Sequence, residues 1–327
     1  MKTLVANFSK QLTEAIQIGS KAKLTPSKNN IQNVLICGLG GSGIGGTIVS
    51  QLVTPLGNVP IDTCKGYFIP AYVNEKTLLI ISSYSGNTEE TLQCLEEAIK
   101  KNAKIVCITS GGTVEQISKE KGFDHIVVPG GMPPRSCLGY SLVQLFFILS
   151  YFKIINDGFK KELEAAVKLI DSEETAIIEE ATALAKKIDG KFPVIYATTL
   201  NEGIAVRFRQ QLNENAKILC WHHIIPEMNH NELVGWTEKN ENYVVLFLLD
   251  KDEYSRNLAR VEINKEIIKK CTSSIIDIYS KGNSAIEKAI YFIHLGDWVS
   301  VILGESRGAD LMEVKVIDHL KSALSKI

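Results

Sequence analysis

The sequence predicts an α/β fold in which parallel sheets are covered by helices on both faces. Two observations carry this. Short apolar runs recur along the 327-residue chain, and most are followed by a segment of helical periodicity. The same plan then restarts after a charge-rich stretch at 157–190, giving two α/β halves of similar design.

The elements follow in order. The first residues, Met1 to Gln11, mix Lys and Gln into apolar positions, which suits an amphipathic helix and not a signal peptide. Asn33 to Cys37 reads as a strand, followed by a glycine-rich loop and a helix to about Val53. Thr77 to Ser82 is a second strand, followed by a hydroxyl-rich loop and a helix to about Lys101. Lys104 to Thr109, a short helix over Gly112 to Lys119, and a strand from His125 to Val128 complete the first half. Pro129 to Arg135 breaks the pattern before an apolar helix that starts at Leu138. Residues 157–190 place Leu163, Val167, Ile170, Ile177, Ile178, Ala181 and Leu184 at helical spacing, so one or two helices bridge the halves. The second half holds strands at Pro193–Ala197, Tyr243–Leu249 and Ser274–Tyr279. Helices follow from about Asn201 to Asn213, Glu253 to Lys270 and Ser284 to Leu303. The boundary between domains falls at 155/156. With no long linker, a site is expected at a topological switch point or between the halves.

Composition narrows the function. A hydrophobic fraction of 45 % and a charged fraction of 22 % are those of a water-soluble globular protein. A net charge of −1 favours neither nucleic acid nor an anionic membrane as partner. The longest apolar block, Leu142 to Phe152, is too short to span a bilayer, which takes about 20 residues. Seven scattered cysteines without a C-x-x-C fit free, buried thiols in a reducing cytoplasm.

Two turns look built for an anion. In Ser82-Ser-Tyr-Ser-Gly-Asn-Thr-Glu-Glu90, small hydroxyls precede a helix start at which Asn87 and Glu90 form a capping-box pattern. No Lys or Arg lies in this loop, which suits a phosphate monoester on a small molecule. An ordinary strand-to-helix connection would use the same residue types. The first turn, Gly38-Leu-Gly-Gly-Ser-Gly-Ile-Gly-Gly46, contains G-x-G-x-x-G, with Asp62 as a possible ribose acid. Its surplus glycines and the second anion-type loop fit a sugar phosphate better than a dinucleotide.

Residues 207–236 are the densest in titratable groups. Glu214 lies between Asn213 and Asn215, and His230 between Asn229 and Asn231, so amides flank a candidate base and a candidate acid. Competing readings are a zinc site from His222, His223, Glu227 and His230, a nucleophilic Cys220, and a surface pair of Glu214 with Lys217. Arg135, behind Pro133-Pro134, can stabilise an oxyanion or stand at a loop tip in solvent. Lys321 by itself reads as a solvated helix residue.

Together these blocks resemble the bifunctional phosphoglucose/phosphomannose isomerases of the sugar isomerase (SIS) domain superfamily. The resemblance rests on Gly40 to Gly46, Ser83 to Glu90, Pro134 to Tyr140, Leu212 to Lys217 and Pro226 to Glu232, and covers nearly the whole chain. It implies two tandem SIS domains, each a flavodoxin-like parallel sheet, and a cytoplasmic homodimer of carbohydrate metabolism with the site near the interface. It implies no cofactor and no metal. The sugar phosphate would lie on Gly41, Ser42, Ser83, Ser85 and Thr88. Glu214 matches the family's base and His230 its ring-opening group, while Arg135 would stabilise an enediolate and Lys321 contact substrate. The chain departs from the pattern at Thr47, where Asp is frequent, at Arg207-Phe-Arg, where Trp is common, and at Asp310 to Val314. The implied activity is interconversion of glucose 6-phosphate and mannose 6-phosphate with fructose 6-phosphate. Another sugar phosphate as substrate, or a non-catalytic sugar-phosphate regulator on the same fold, is the alternative.

Overall fold

The computed structural model describes residues 1–326. The chain divides into two compact units. One comprises Ala6–Ser172 with Lys281–Tyr291, and the other Met1–Val5, Glu173–Ser280 and Phe292–Ile327. We call them the N-terminal and C-terminal units.

The amphipathic start is two helices, α1 (Lys2–Ala6) and α2 (Phe8–Lys21). In the N-terminal unit follow β1 (Asn33–Cys37), α3 (Gly40–Val53), β2 (Ile61–Cys64), β3 (Thr77–Ser82), α4 (Glu89–Lys100), β4 (Lys104–Thr109), α5 (Gly112–Lys121), β5 (Asp124–Val127) and α6 (Leu138–Tyr151). All strand pairs are parallel and the order is β2-β1-β3-β4-β5, the flavodoxin-like order. β3 is buried at every position, which explains its unbroken apolar run. Leu35, Leu79, Ile81 and Ile105 from three strands pack with Leu95 and Ala98 of α4. Truncating Leu79 to Ala would cost about 2–5 kcal/mol. α6 is buried from Leu138 to Leu149, as its apolar sequence predicts. It takes polar partners from α2: Gln11 donates to the Ser136 carbonyl at 2.8 Å and accepts from the Gly139 N–H at 2.8 Å.

The charge-rich stretch is one helix, α7 (Phe159–Ile188), with Leu163, Ile170, Ile177 and Ala181 fully buried. The C-terminal unit then holds β6 (Phe192–Thr198), α8 (Glu202–Glu214), β7 (Trp221–Ile225), β8 (Tyr243–Leu249), α9 (Ser255–Ile268) and β9 (Ile275–Tyr279). They are followed along the chain by α10 (Ala285–Ser306) and α11 (Lys315–Leu324). Its sheet is also all parallel, in the order β7-β6-β8-β9. The two sheets therefore share a plan, the second with one strand fewer. Two strands went unpredicted, β2 and β7. Both lie at sheet edges and are half-exposed, so neither carries the apolar run that marks the buried strands. No helix among the described residues is long and apolar enough to cross a membrane.

Candidate active site

The strand order of the N-terminal sheet reverses between β1 and β3, so the turns leaving these two strands flank the crevice where ligands bind in such sheets. These are the glycine and hydroxyl turns. The glycine segment is not a free loop as expected: Gly40 opens α3, and Gly41 to Gly46 form its first turns. Helix propensity argues against this, and close packing overrides it. A Cβ on Gly38 would stand 2.6 Å from the Ser82 carbonyl, and one on Gly43 2.3 Å from the Gly38 carbonyl. Gly40 has φ +54, which favours glycine. Gly41 lies against the Arg135 segment, where an added Cβ would meet the Pro134 carbonyl oxygen at 2.8 Å.

The hydroxyl turn is tied to this helix start. Ser42 Oγ accepts from the Tyr84 N–H at 3.1 Å, so one serine joins the two turns. Ser83 is buried, with its Oγ 3.3 Å from Thr88 Oγ1. Ser85 is exposed and accepts from the Asn87 N–H at 3.3 Å. The capping box is not formed. Thr88, not Asn87, stands at the N-cap of α4, and it makes no side-chain hydrogen bond to the helix. Asn87 instead accepts from the Thr113 N–H at 3.0 Å and its hydroxyl at 2.9 Å, bracing the turn on α5. α3 likewise begins at Leu39 without a side-chain cap. Two helix N-termini thus converge on the switch point with no side chain bonded to their first N–H groups. The buried hydroxyls Ser82 Oγ and Thr91 Oγ1 beside them have no hydrogen-bond partner.

Arg135 completes this cluster. It lies in a 3-10 turn, Pro134–Ser136, and is 4 % exposed, so the loop-tip reading does not hold. Its segment is fixed from two sides. Tyr84 donates to the Pro129 carbonyl at 3.0 Å and accepts from the Met132 N–H at 3.3 Å, and Ser136 Oγ donates to the Pro133 carbonyl at 2.7 Å. Burial raises the Tyr84 phenol above its ordinary range, which keeps it a neutral donor.

The remaining candidates lie in the C-terminal unit. Glu214 is the last residue of α8 and is half-buried. Its flanking amides act on the backbone and on α10: Asn213 donates to the Ile218 carbonyl at 2.7 Å, and Asn215 to Ser300 Oγ at 3.0 Å. Lys217, at φ +57, donates to the Glu214 main-chain carbonyl at 2.9 Å and stands 3.8 Å from the Glu313 carboxylate. These bonds fix the helix end that carries Glu214. His230 ends a 3-10 turn over Glu227–His230 and is exposed. Its amide neighbours serve other partners: Asn229 donates to Asn264 at 2.6 Å and Asn231 to Glu227 at 2.9 Å. Lys321 is exposed on α11.

The competing chemistries fare differently. The histidines and Glu227 do not gather as a metal set; among the described residues the one group of three or more metal-ligating side chains is Cys37, Cys64 and Cys94. Burial pushes the Cys220 thiol up to about 12, which leaves it a poor nucleophile. His222 is lowered to about 4, first by burial and then by the Arg209 charge. Asp62 accepts from the Tyr72 hydroxyl at 2.8 Å, a partner of its own.

Comparison with known proteins adds the family. The bacterial phospho-glucose isomerase C-terminal SIS domain matches residues 177–324, and the SIS domain matches 30–128. A bifunctional phosphoglucose/phosphomannose isomerase of Caldicellulosiruptor bescii is 38 % identical over 99 % of this chain and 98 % of its own length. The chain belongs to the bifunctional phosphoglucose/phosphomannose isomerase family. A D-glucosamine-6-phosphate 4-epimerase of Sulfolobus acidocaldarius is also similar, at 32 % identity over 74 % of this chain and 76 % of that protein. The fold matches a crystal structure of a putative phosphosugar isomerase from Clostridium difficile 630 with a TM-score of 0.78 at 17 % identity, covering 96 % of this chain and 95 % of that one.

This bifunctional isomerase family member also carries two polar networks that the sequence did not single out. Arg207, 2 % exposed, donates to Asp297 at 2.8 Å, and Gln211 donates to the other Asp297 oxygen at 2.8 Å. This buried triad joins α8 to α10 one to two turns before Glu214. Removing one partner would leave a buried charge and cost about 3–5 kcal/mol. Glu232 takes the Trp221 indole N–H at 2.7 Å and the Tyr196 hydroxyl, which in turn accepts from Trp236 at 2.9 Å. It steadies the segment that follows His230. Only a shared 3.6-residue spacing of Arg207 and Gln211 hints at the first network in sequence.

Proposed function

We propose that this isomerase interconverts glucose 6-phosphate and mannose 6-phosphate with fructose 6-phosphate by proton transfer through a cis-enediolate. One observation carries the reading: two helix N-termini without side-chain caps meet at the β1/β3 switch point beside Ser42, Ser83, Thr88 and the buried Arg135. That is an anion cradle of the kind that suits a phosphate monoester. Gly41, Ser42, Ser83, Ser85 and Thr88 hold the phosphate and make the proton transfer effectively unimolecular.

The chemistry falls to titratable groups. His230 assists ring opening. Glu214 removes the C2 proton of the open-chain aldose and returns it at C1, giving the ketose; the aldehyde oxygen gains a proton as the C2 hydroxyl loses one. Arg135 stabilises the negative charge that develops on the enediolate oxygens. Lys321 contacts the substrate. Glucose and mannose 6-phosphates differ only at C2, which is planar in the intermediate, so one base serves both. The steps call on no cofactor or metal. The same reading makes the protein a cytoplasmic homodimer.

A second reading, an isomerase acting on an amino sugar phosphate, draws on the similarity to the glucosamine-6-phosphate epimerase. A coupled assay on chelator-treated protein, with fructose 6-phosphate and glucosamine 6-phosphate offered separately, separates the two. We expect fructose 6-phosphate to give both glucose and mannose 6-phosphates. Turnover of glucosamine 6-phosphate alone would sink the hexose reading, and binding without turnover of either would make the chain a sensor.

A further inference from the structure

Cys37 and Cys64 are the last residues of β1 and β2 and face each other as register partners across the parallel pair. Cys94, on α4, brings a third thiol to the same point. The three sulfur atoms lie within 4.8 Å of one another, and Cys64 Sγ is 3.8 Å from Cys94 Sγ. All three cysteines are free and buried. The enclosing turn supplies main-chain acceptors to the thiols. Cys94 donates to the Gly66 carbonyl at 3.3 Å, and Cys64 to the Phe68 carbonyl at 3.3 Å. Phe68 and Tyr67 of this turn are exposed, and Cys64 beneath them is 8 % exposed.

We propose that Cys37, Cys64 and Cys94 form a binding site for one soft, three-coordinate cation of the Cu(I) class. The geometry selects the ion. Three sulfurs about 2.3 Å from a central ion in a plane stand roughly 4 Å apart, close to the spacing found here. Thiolates select soft ions, and no fourth His, Cys, Asp or Glu joins the group among the described residues. Structural zinc sites and iron–sulfur clusters take four protein ligands, and a three-ligand zinc site keeps a water in its fourth position. The nearest carboxylates have other partners: Glu97 accepts from the Ile69 N–H at 2.9 Å and Asp62 from Tyr72. On binding, each ligating thiol gives its proton to solvent, a sulfur–metal bond replaces the S–H bond, and no electron moves. The bound ion would clamp the ends of β1 and β2 to α4. Cys37 immediately precedes Gly38, and α4 begins at the hydroxyl turn, so the clamp lies beneath the anion cradle.

The test is an anaerobic titration of the reduced full-length protein with Cu(I) against a chromophoric Cu(I) chelator. We expect one ion per chain to be withdrawn from the chelator. Cys64→Ser and Cys94→Ser should each weaken binding at least a hundredfold, and Cys271→Ser should leave it unchanged. X-ray absorption of the loaded wild-type protein, which needs no variant to fold, should report three sulfur neighbours. Failure of the wild-type protein to compete, binding retained in both Cys64→Ser and Cys94→Ser, or a copper shell without three sulfurs would overturn the proposal.

Discussion

At the N-terminal switch point, β1 and β3 run through glycine and hydroxyl turns into α3 and α4, whose first N–H groups take no side-chain cap. At the corresponding point of the C-terminal sheet, between β6 and β8, the strand order is the same but the turns are filled by the protein's own acid. Asp250, just past β8, accepts from Asn201 at 3.2 Å and from Ser280. A phosphate would meet a carboxylate at one switch point and free N–H dipoles at the other. Shared topology therefore does not give shared chemistry. On the proposed function, the N-terminal unit anchors the anion and Glu214 at the end of α8 acts as the base.

That division is tested most severely at Glu214. Glu214→Gln keeps the shape of the α8 end and removes the base. Turnover should fall about a hundred- to ten-thousand-fold, with the KM for fructose 6-phosphate little changed. A steady-state assay on the purified variant checks this. Turnover within a few-fold of the parent would remove Glu214 from the chemistry.

Substitution at Gly41 should invert the pattern. Its missing side chain lets α3 sit against the Pro134 carbonyl, where even a Cβ would be at 2.8 Å. Gly41→Val must push the Arg135 turn away from the cradle. We expect the KM to rise tenfold or more, since losing one charge-assisted contact costs about 1.5–3 kcal/mol. Ser83→Ala is milder. It removes one hydroxyl and its 3.3 Å contact with Thr88, so a few-fold rise in KM with kcat preserved is expected. A fall in kcat at constant KM in either variant would break the assignment of this unit to anchoring.

The parts of this arrangement were unequally legible in the sequence. Strands buried on both faces, such as Thr77–Ser82, announce themselves as apolar runs, and the structure places them within a residue or so of expectation. The half-exposed edge strands β2 and β7 give no such run. The anion turns were visible as residue types, but not the cap. Asn87 and Glu90 satisfy the capping-box spacing, while Asn87 is drawn off to Thr113 on another helix. Arg135 showed as a charged residue behind two prolines, and only packing reveals that it is buried. The amides beside Glu214 and His230 suggested orientation of the acid and the imidazole. In the folded chain they hold backbone and neighbouring helices. The thiol cluster left no trace at all, because strand register and a helix crossing unite three cysteines that no local spacing relates.

The smallest effect on activity is expected where the comparison is sharpest, at Asp250. If the C-terminal switch point is closed and holds no ligand, its acid is structural. Asp250→Ala would leave the Asn201 amide and the Ser280 hydroxyl without their shared acceptor. Stranding such partly buried groups costs about 1–3 kcal/mol, so the thermal midpoint should drop by several degrees. The KM and kcat for fructose 6-phosphate should stay within twofold of the parent below that midpoint. Asp250→Asn keeps an acceptor and should recover most of the stability. A variant that folds as stably as the parent but loses its affinity for the sugar phosphate would show that this second switch point also takes part in binding, and that the two sheets share more than their strand order.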